Sequence, residues 1–409
     1  MVKIYLKDPA KIESQYLSSV QKELSQRLFA LRESLDHLSG STVNTASTGY
    51  EKSRRLTEKL VNEIEGHPIY PKDDYKSIAY QTTLSRYISA STKLSGINFS
   101  NLYKLLNDLL SRNELLLAEL LTAPPTDLQT KNSKLGWGTF GAFEIFVIKL
   151  LFNTDAQKAY WELIRDFFKT KVPITFCPYC NFDMVEDVPS TSGSAYTSAL
   201  DHFYSQSEFP LLCFSFYNLI PADTNCNSYK KHTKTFSDDF HLHPYLYDYG
   251  QNASFRAEFL PPFEKVTKIE LNVNEVFGKP MYKRMLGDRA VYTPGHKLGN
   301  INVFKINELY QGTHFLETAK DTLDALRNMT SLEGNLKKLT DLFIIDGEKR
   351  KNAYKSWYRK KLRSPFSKID FCNKPFSKLN RDLHDHHILK SRFLQSYIGK
   401  LIDDDNKLP

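Results

Sequence analysis

Residues 200–232 read LDHFYSQSEFPLLCFSFYNLIPADTNCNSYKKH and follow shortly after the tetrad CPYC at 177–180. The stretch sets out Asp201-His202, Asn218, Asp223, Cys226, Asn227 and Lys230 in that order. These residue types answer the needs of phosphodiester hydrolysis, in which a water must lose a proton and a pentacovalent phosphate must be neutralised. An imidazole titrates near neutrality and accepts a proton if it is held in the right tautomer and direction. A hard divalent cation prefers oxygen ligands and keeps several waters, so one carboxylate and one amide oxygen suffice to hold it. Neighbours on a strand point to opposite faces. Asp201 and His202 therefore project the same way only where a strand ends or bulges, and the loop from Phe203 supplies that ending.

In order and spacing this stretch resembles the HNH (His-Me finger) endonucleases. Their mark is a strand ending in Asp-His, a second segment carrying Asn and a helix carrying His or Asn. The resemblance implies His202 as general base and Asp201 with Asn227 as ligands of a catalytic Mg2+ or Mn2+. Asn218 would constrain the loop that presents the histidine. Lys230, on the helical face of Asn227, would steady a phosphate, with Lys231 beside it at the nucleic acid. The implied reaction leaves a 5′-phosphate and a 3′-hydroxyl, and DNA is the favoured polymer.

The cysteines read as a staple, because so small a finger buries too little apolar surface to hold itself. A tetrahedral Zn2+ between two Cys-x-x-Cys knuckles would compensate, but the second knuckle here reads Asp223-Thr224-Asn225-Cys226, with Asp where the family has Cys. Cys177, Cys180, Asp223 and Cys226 form one candidate set, more pH-sensitive than four thiolates. Alternatively Cys213 or His232 completes the site, or no metal is bound, since a lone Cys-x-x-Cys also serves redox proteins.

Two later segments, His241-Leu242-His243-Pro244-Tyr245 and KINELYQGTH with Tyr310 and His314, resemble bacterial HNH proteins found beside ATPase partners in phage-defence operons. That implies an antiviral effector nuclease working with a separate ATPase. His243 and Tyr245 themselves read as packing and hydrogen-bonding residues. No phosphate-cradling G-x-x-x-x-G-K loop occurs, so any nucleotide hydrolysis would come from the partner.

Composition bounds the class. The chain has 409 residues, 41% hydrophobic and 25% charged, enough for two or three ordinary cores. Its 55 Lys and Arg against 47 Asp and Glu give +8, which favours a polyanionic partner through counterion release. Five cysteines, two in one knuckle, make no disulfide framework, and a reducing cytoplasm fits best. The amino terminus, MVKIYLKDPAKIES, has no continuous apolar core, and the greasiest stretch, 140–152, is interrupted by Glu144 and Lys149, so neither a signal segment nor a membrane span is expected.

From Lys11 to Leu38 the residues Leu17, Leu24, Leu28, Leu31, Leu35 and Leu38 recur at three and four, an amphipathic helix with the option of a dimer seam. Further helices are expected at 50–65, 75–94, 98–121, 140–152 and 155–170. A Gly/Ser/Thr loop at 39–49, a long connection at 126–138 and a loop at 188–198 separate them. Phe143, Phe146, Tyr160, Trp161 and Phe167 read as core. Alternation at Phe255, Ala257, Phe259 and at Ile269, Leu271, Val273 predicts two strands around Pro261-Pro262, and Leu316, Ala319, Leu323 and Leu326 share a helical face.

The segment KRKNAYKSWYRKKLR (349–363) offers Lys349, Arg350, Lys351, Lys355, Arg359 and Lys360 to phosphates and Tyr354, Trp357 and Tyr358 to bases. The competing reading is a solvated helix face with its aromatics turned inward. The run His384, Asp385, His386, His387 is a weaker metal candidate.

The expected architecture is thus α+β and mostly helical, with a ββα-metal finger inserted between helical amino-terminal and carboxy-terminal regions. The divisions fall at 1–165 (oligomerisation or partner binding), 166–245 (nuclease) and 246–409 (mixed, then helical). The alternative function is a zinc-stapled scaffold that binds nucleic acid or protein without cutting.

Overall fold

The structure, a computed structural model, describes residues 1–39, 100–140, 142–152, 158–185, 188–190, 193–195, 198–232, 234–260, 265–276, 278–288, 298–330 and 347–390. The helices expected at 50–65 and 75–94, the loop at 39–49 and Pro261-Pro262 lie outside these residues. The protein is a mostly helical α+β chain. Packing gathers it into two units that do not follow chain order, so the units do not part at 165 and 245. The first comprises Met1–Leu6, Pro173–Asp201 and Ile220–Pro409, and the second Lys7–Val172 and His202–Leu219. No described helix is long and apolar enough to cross a membrane.

The second unit is built on helix α1 (Pro9–Ser39). Its buried stripe is Tyr16, Val20, Leu24 and Leu28, one residue per turn, with Leu17 only half-buried. The leucine pattern therefore found the helix but placed the start of its buried face one residue off. The Tyr16 ring meets Phe167 at 5.2 Å and Phe216 at 5.2 Å, and its hydroxyl donates to the Phe214 carbonyl at 2.6 Å. The expected helix at 98–121 is two helices, α2 (Ser100–Leu110) and α3 (Leu115–Leu121). Arg112, Asn113 and Glu114 between them all have φ near +50 to +60, a left-handed step that reverses the helical path. The Glu114 carboxylate is held by Ser25 Oγ and, at 3.1 Å, by Gln21 Nε2, which ties the step to α1.

Helix α4 (Leu128–Lys134) occupies what reads as a connection, α5 spans Ala142–Leu151 and α6 spans Lys158–Lys171. Glu144, the acid that interrupts the apolar run, is buried and accepts the Leu102 amide at 2.8 Å in the first turn of α2. It satisfies an amide that has no intrahelical partner, at the positive end of the helix dipole. The segment 203–219 completes this core, with Phe214 and Phe216 fully buried and Tyr160 edge-on to Phe214 at 4.8 Å.

Among the described residues there are three two-stranded sheets. Strands β1 (Val188–Ser190) and β2 (Gly193–Ala195) form a short antiparallel hairpin inside the expected loop. Strands β3 (Ser198–His202) and β4 (Leu219–Asp223) pair, and a seven-residue helix at Asn225–Lys231 follows. Strands β5 (Ala253–Leu260) and β6 (Lys265–Val273) pair antiparallel, with Phe255 opposite Leu271 and Ala257 opposite Ile269, as the alternation predicts. Helices α7 (Pro280–Leu286), α8 (Asn300–Val303), α9 (Ile306–Leu309), α10 (Thr313–Thr330), α11 (Gly347–Lys361) and α12 (Ser377–Leu389) complete the first unit.

Candidate functional site

The cysteine knuckle is shaped by backbone hydrogen bonds: the Cys177 amide donates to Asp183 O at 2.8 Å and the Asn181 amide to Cys177 O at 2.8 Å. The turn needs a left-handed residue, and Asn181 supplies it with φ +55. The Asn181 side chain donates to Phe371 O at 2.9 Å and to Lys374 O at 3.2 Å, and accepts the Lys378 amide at 3.0 Å. Tyr310, part of the KINELYQGTH segment, donates to Cys180 O at 2.9 Å.

At the end of β4, Asp223 Oδ1 accepts the Cys226 amide at 2.9 Å and opens the following helix. The ligand atoms of Cys177, Cys180, Asp223 and Cys226 lie within 4.8 Å of one another, and all four residues are buried. A tetrahedral zinc site with bonds of about 2.0–2.3 Å has ligand-to-ligand edges of roughly 3.3–3.8 Å. The Cys180 Sγ to Asp223 Oδ2 distance is 3.9 Å. This buried set fits an ion such as zinc. Of the other candidates, His232 is exposed and Cys213 belongs to the second unit.

Burial holds the Cys177 thiol well above its ordinary value. The same burial acts on Cys180, but hydrogen bonds from Cys177 and Cys226 and from the amides of Asp183 and Phe182 outweigh it and bring Cys180 well below. Burial, then the charges of Cys180 and Asp223, push Asp183 up to about 7. The half-buried Lys230 ammonium is 3.9 Å from Cys226 Sγ. Burial works against its charge, but the surrounding Cys226, Cys180, Asp183 and Asp223 raise it. Lys230, expected at a phosphate, thus faces the cysteine cluster.

Asp201 and Lys231 depart further from expectation. Both are buried, and the Lys231 ammonium lies 2.7 and 2.9 Å from the two oxygens of Asp201. The Tyr179 hydroxyl donates to Oδ2 at 2.7 Å. Lys231, expected at the nucleic acid, is 2% exposed and turned inward, where burial lowers its pKa and the Asp201 carboxylate opposes that shift. Asp201, expected on a catalytic metal, already has both oxygens engaged. A hydrated Mg2+ does not fit this carboxylate as it stands. Asn227 is half-buried, and its carbonyl accepts the His232 amide at 2.9 Å, an i to i+5 bond that widens this helix.

In the second unit, His202 Nε2 lies 3.1 Å from Cys213 O and 3.4 Å from Cys213 Sγ. A carbonyl only accepts, so that contact puts the proton on Nε2 and leaves the lone pair of the neutral ring on Nδ1. The ring stacks on Trp161 with centroids 5.5 Å apart and planes 18° apart. Trp161, read from sequence as core, is thus a wall of the histidine's setting. Asn218 is fully buried: its Oδ1 accepts the Tyr204 amide at 2.7 Å, and its Nδ2 donates to Tyr204 O at 3.1 Å and Leu212 O at 2.9 Å. The one side chain thereby ties both limbs of the loop after His202.

The remaining candidates fall outside this group. Tyr354 and Tyr358 on α11 are buried with Leu326, Met329, Leu362, Phe366 and Ile388, and Trp357 packs against them. Lys349, Arg359 and Lys360 are exposed, Lys355 lies 5.6 Å from the Phe366 ring, and the side chains of Arg350 and Lys351 lie outside the described set. His384 is buried between Tyr354 and Asp385. Among the described residues the His384 to His387 run is not a converging ligand group. His241 stacks on Phe236 at 3.9 Å, and His243 Nδ1 accepts the Tyr245 amide at 3.3 Å, both structural contacts.

No family model matches the chain, and no curated protein or solved structure is significantly similar to it.

Proposed function

We propose that the protein is an HNH-type nuclease that hydrolyses phosphodiester bonds, with His202 as general base and a soft metal ion, zinc by its ligand set, stapling Cys177, Cys180, Asp223 and Cys226. The observation that carries this reading is the setting of His202: Nε2 donates to the Cys213 carbonyl and the ring lies flat on Trp161. A histidine so held has one tautomer and one direction, which a general base needs and a merely structural histidine does not. In this reading the ring takes the proton of the attacking water, and the imidazolium that forms keeps its hydrogen bond to the Cys213 carbonyl. Asn218 keeps the loop in place while the charge moves. The strand, strand, helix order of β3, β4 and residues 225–231 supports this reading.

A bound zinc ion would fix the fold of the knuckle and would do no chemistry on the substrate. DNA as substrate, an ATPase partner and a role in phage defence follow from the resemblance and belong to the same proposal; the +8 charge supports the polyanionic substrate, and the cysteine usage supports a cytoplasmic setting. The test compares wild type with His202→Ala on duplex DNA, single-stranded DNA and RNA, with and without Mg2+ or Mn2+. Cleavage by the wild type and its loss in a folded variant is the expected result. Equal cleavage by both would end the reading. The engaged carboxylate of Asp201 favours a second reading, a zinc-stapled module that binds nucleic acid or protein without cutting. A wild type inert on all three polymers with either ion would favour it.

A further inference from the structure

The HNH resemblance calls for a divalent cation at Asp201, and the structure puts a different cation there. Lys231 Nζ reaches Oδ1 at 2.7 Å and Oδ2 at 2.9 Å. Tyr179 fills a further lone pair of Oδ2, and its own ring is fixed by stacking on Phe304 at 4.3 Å. The far side of the ammonium faces the Phe236 ring at 4.6 Å, a cation–π contact. The two side chains are 3% and 4% exposed. A hydrated divalent ion would have to bring its waters into this apolar enclosure. It would also break a buried ion pair, which costs more than the pair itself contributes. Two unit charges already cancel here, so no net negative charge remains to draw a metal.

We propose that Lys231 is the permanent counter-ion of Asp201 and stands in place of the divalent cation there, which makes Asp201 a positioning residue and not a metal ligand. The pair pins the 225–231 helix to the end of β3, and His202 is the next residue in the chain. Any divalent ion the reaction uses is held without Asp201. The charge assignment stands by itself, and its catalytic consequence rests on the nuclease reading.

The test uses the full-length zinc-loaded chain and Mn2+ as the probe, with free Mn2+ read by electron paramagnetic resonance in wild type, Asp201→Asn and Lys231→Met. The expected result is Mn2+ affinity equal within about twofold in all three, or no binding in any. Loss of a true ligand costs roughly tenfold or more. A drop of that size in Asp201→Asn overturns the proposal, as does a matching gain in Lys231→Met, which would make the lysine a gate before a metal ligand. If Asp201→Asn does not fold, the apolar double variant Asp201→Leu/Lys231→Met takes its place, with the same two outcomes.

Cleavage assays at a temperature where every variant is folded give the positioning readout. Asp201→Asn is expected to lower kcat about tenfold with KM and the half-saturating Mn2+ unchanged, and Lys231→Arg, which keeps the ion pair, to restore most of the rate lost in Lys231→Met. A rise in half-saturating Mn2+ in Asp201→Asn overturns the proposal. If wild type cleaves nothing, the nuclease reading fails, and the Mn2+ titration still decides the counter-ion.

Discussion

The Nε2 of His202 and the carbonyl oxygen of Cys213 are 3.1 Å apart, a hydrogen bond that directs the ring when Nε2 carries the proton. Trp161 covers the same ring from one side. If His202 is the general base, Trp161→Ala should lower kcat by about 10-fold while leaving the fold intact, because it loosens the direction of that base and leaves it in place. Steady-state cleavage with circular dichroism checks this, and an unchanged kcat would detach Trp161 from the site.

Asn218 satisfies three backbone groups of one buried loop. Asn218→Ala strands them, and at roughly 1–3 kcal/mol per unsatisfied buried group the loss should be about 3 kcal/mol or more. Urea denaturation of the two proteins measures it. Asn218→Asp, which keeps the acceptor but sets a buried carboxylate against the Tyr204 and Leu212 carbonyl oxygens, should cost at least as much.

One metal ion per chain is expected at the four buried ligands. Chelation should lower Tm, and native mass spectrometry should show a single zinc lost. Asp223→Cys, restoring four thiolates, should slow metal transfer to a chromogenic chelator, whereas Asp223→Asn should speed it. Metal release rates indifferent to residue 223 would remove the aspartate from the ligand set.

Burial holds His384 below its ordinary value of 6.5, with Arg381 acting the same way and Asp385 opposing. Tyr354, Tyr358, Phe366 and Asp385 surround it. Above pH 6.5 the folded and unfolded imidazoles are both neutral and stability is full. Below that value the unfolded chain takes up the proton first, so stability falls as pH drops toward the depressed folded value. Asp385, also buried, is lowered by Arg381 and His384, so its contribution is present above 3.8 and is lost only as pH falls through its lower folded value. Thermal denaturation from pH 8 to about 5 should show the first loss, and His384→Gln should flatten it.

The buried ion pair predicts an asymmetry in stability. Lys231→Met alone leaves the Asp201 carboxylate enclosed and should cost about 3–5 kcal/mol, while Asp201→Leu/Lys231→Met should recover most of that. A double-mutant cycle in urea measures the coupling.

The sequence by itself determined the local elements and the short-range part of the site. Periodicity placed the helix at 9–39, the pair of strands at 253–273 and the apolar face of 313–330, because side-chain period follows backbone geometry. The spacing of Cys177, Cys180, Asp223 and Cys226 marked a ligand set, because a knuckle brings cysteines three apart to one side of a turn. What reads as one helix at 98–121 broke at three left-handed residues, which no apolar period records. Lys231 meets Asp201 across 30 positions, and His202 meets Trp161 across 41. Only the tertiary structure decided those partners. A charge or a ring in the sequence shows its type and never its neighbour, and it is the neighbour and the loss of water around it that fix whether an ammonium greets a phosphate or a buried carboxylate.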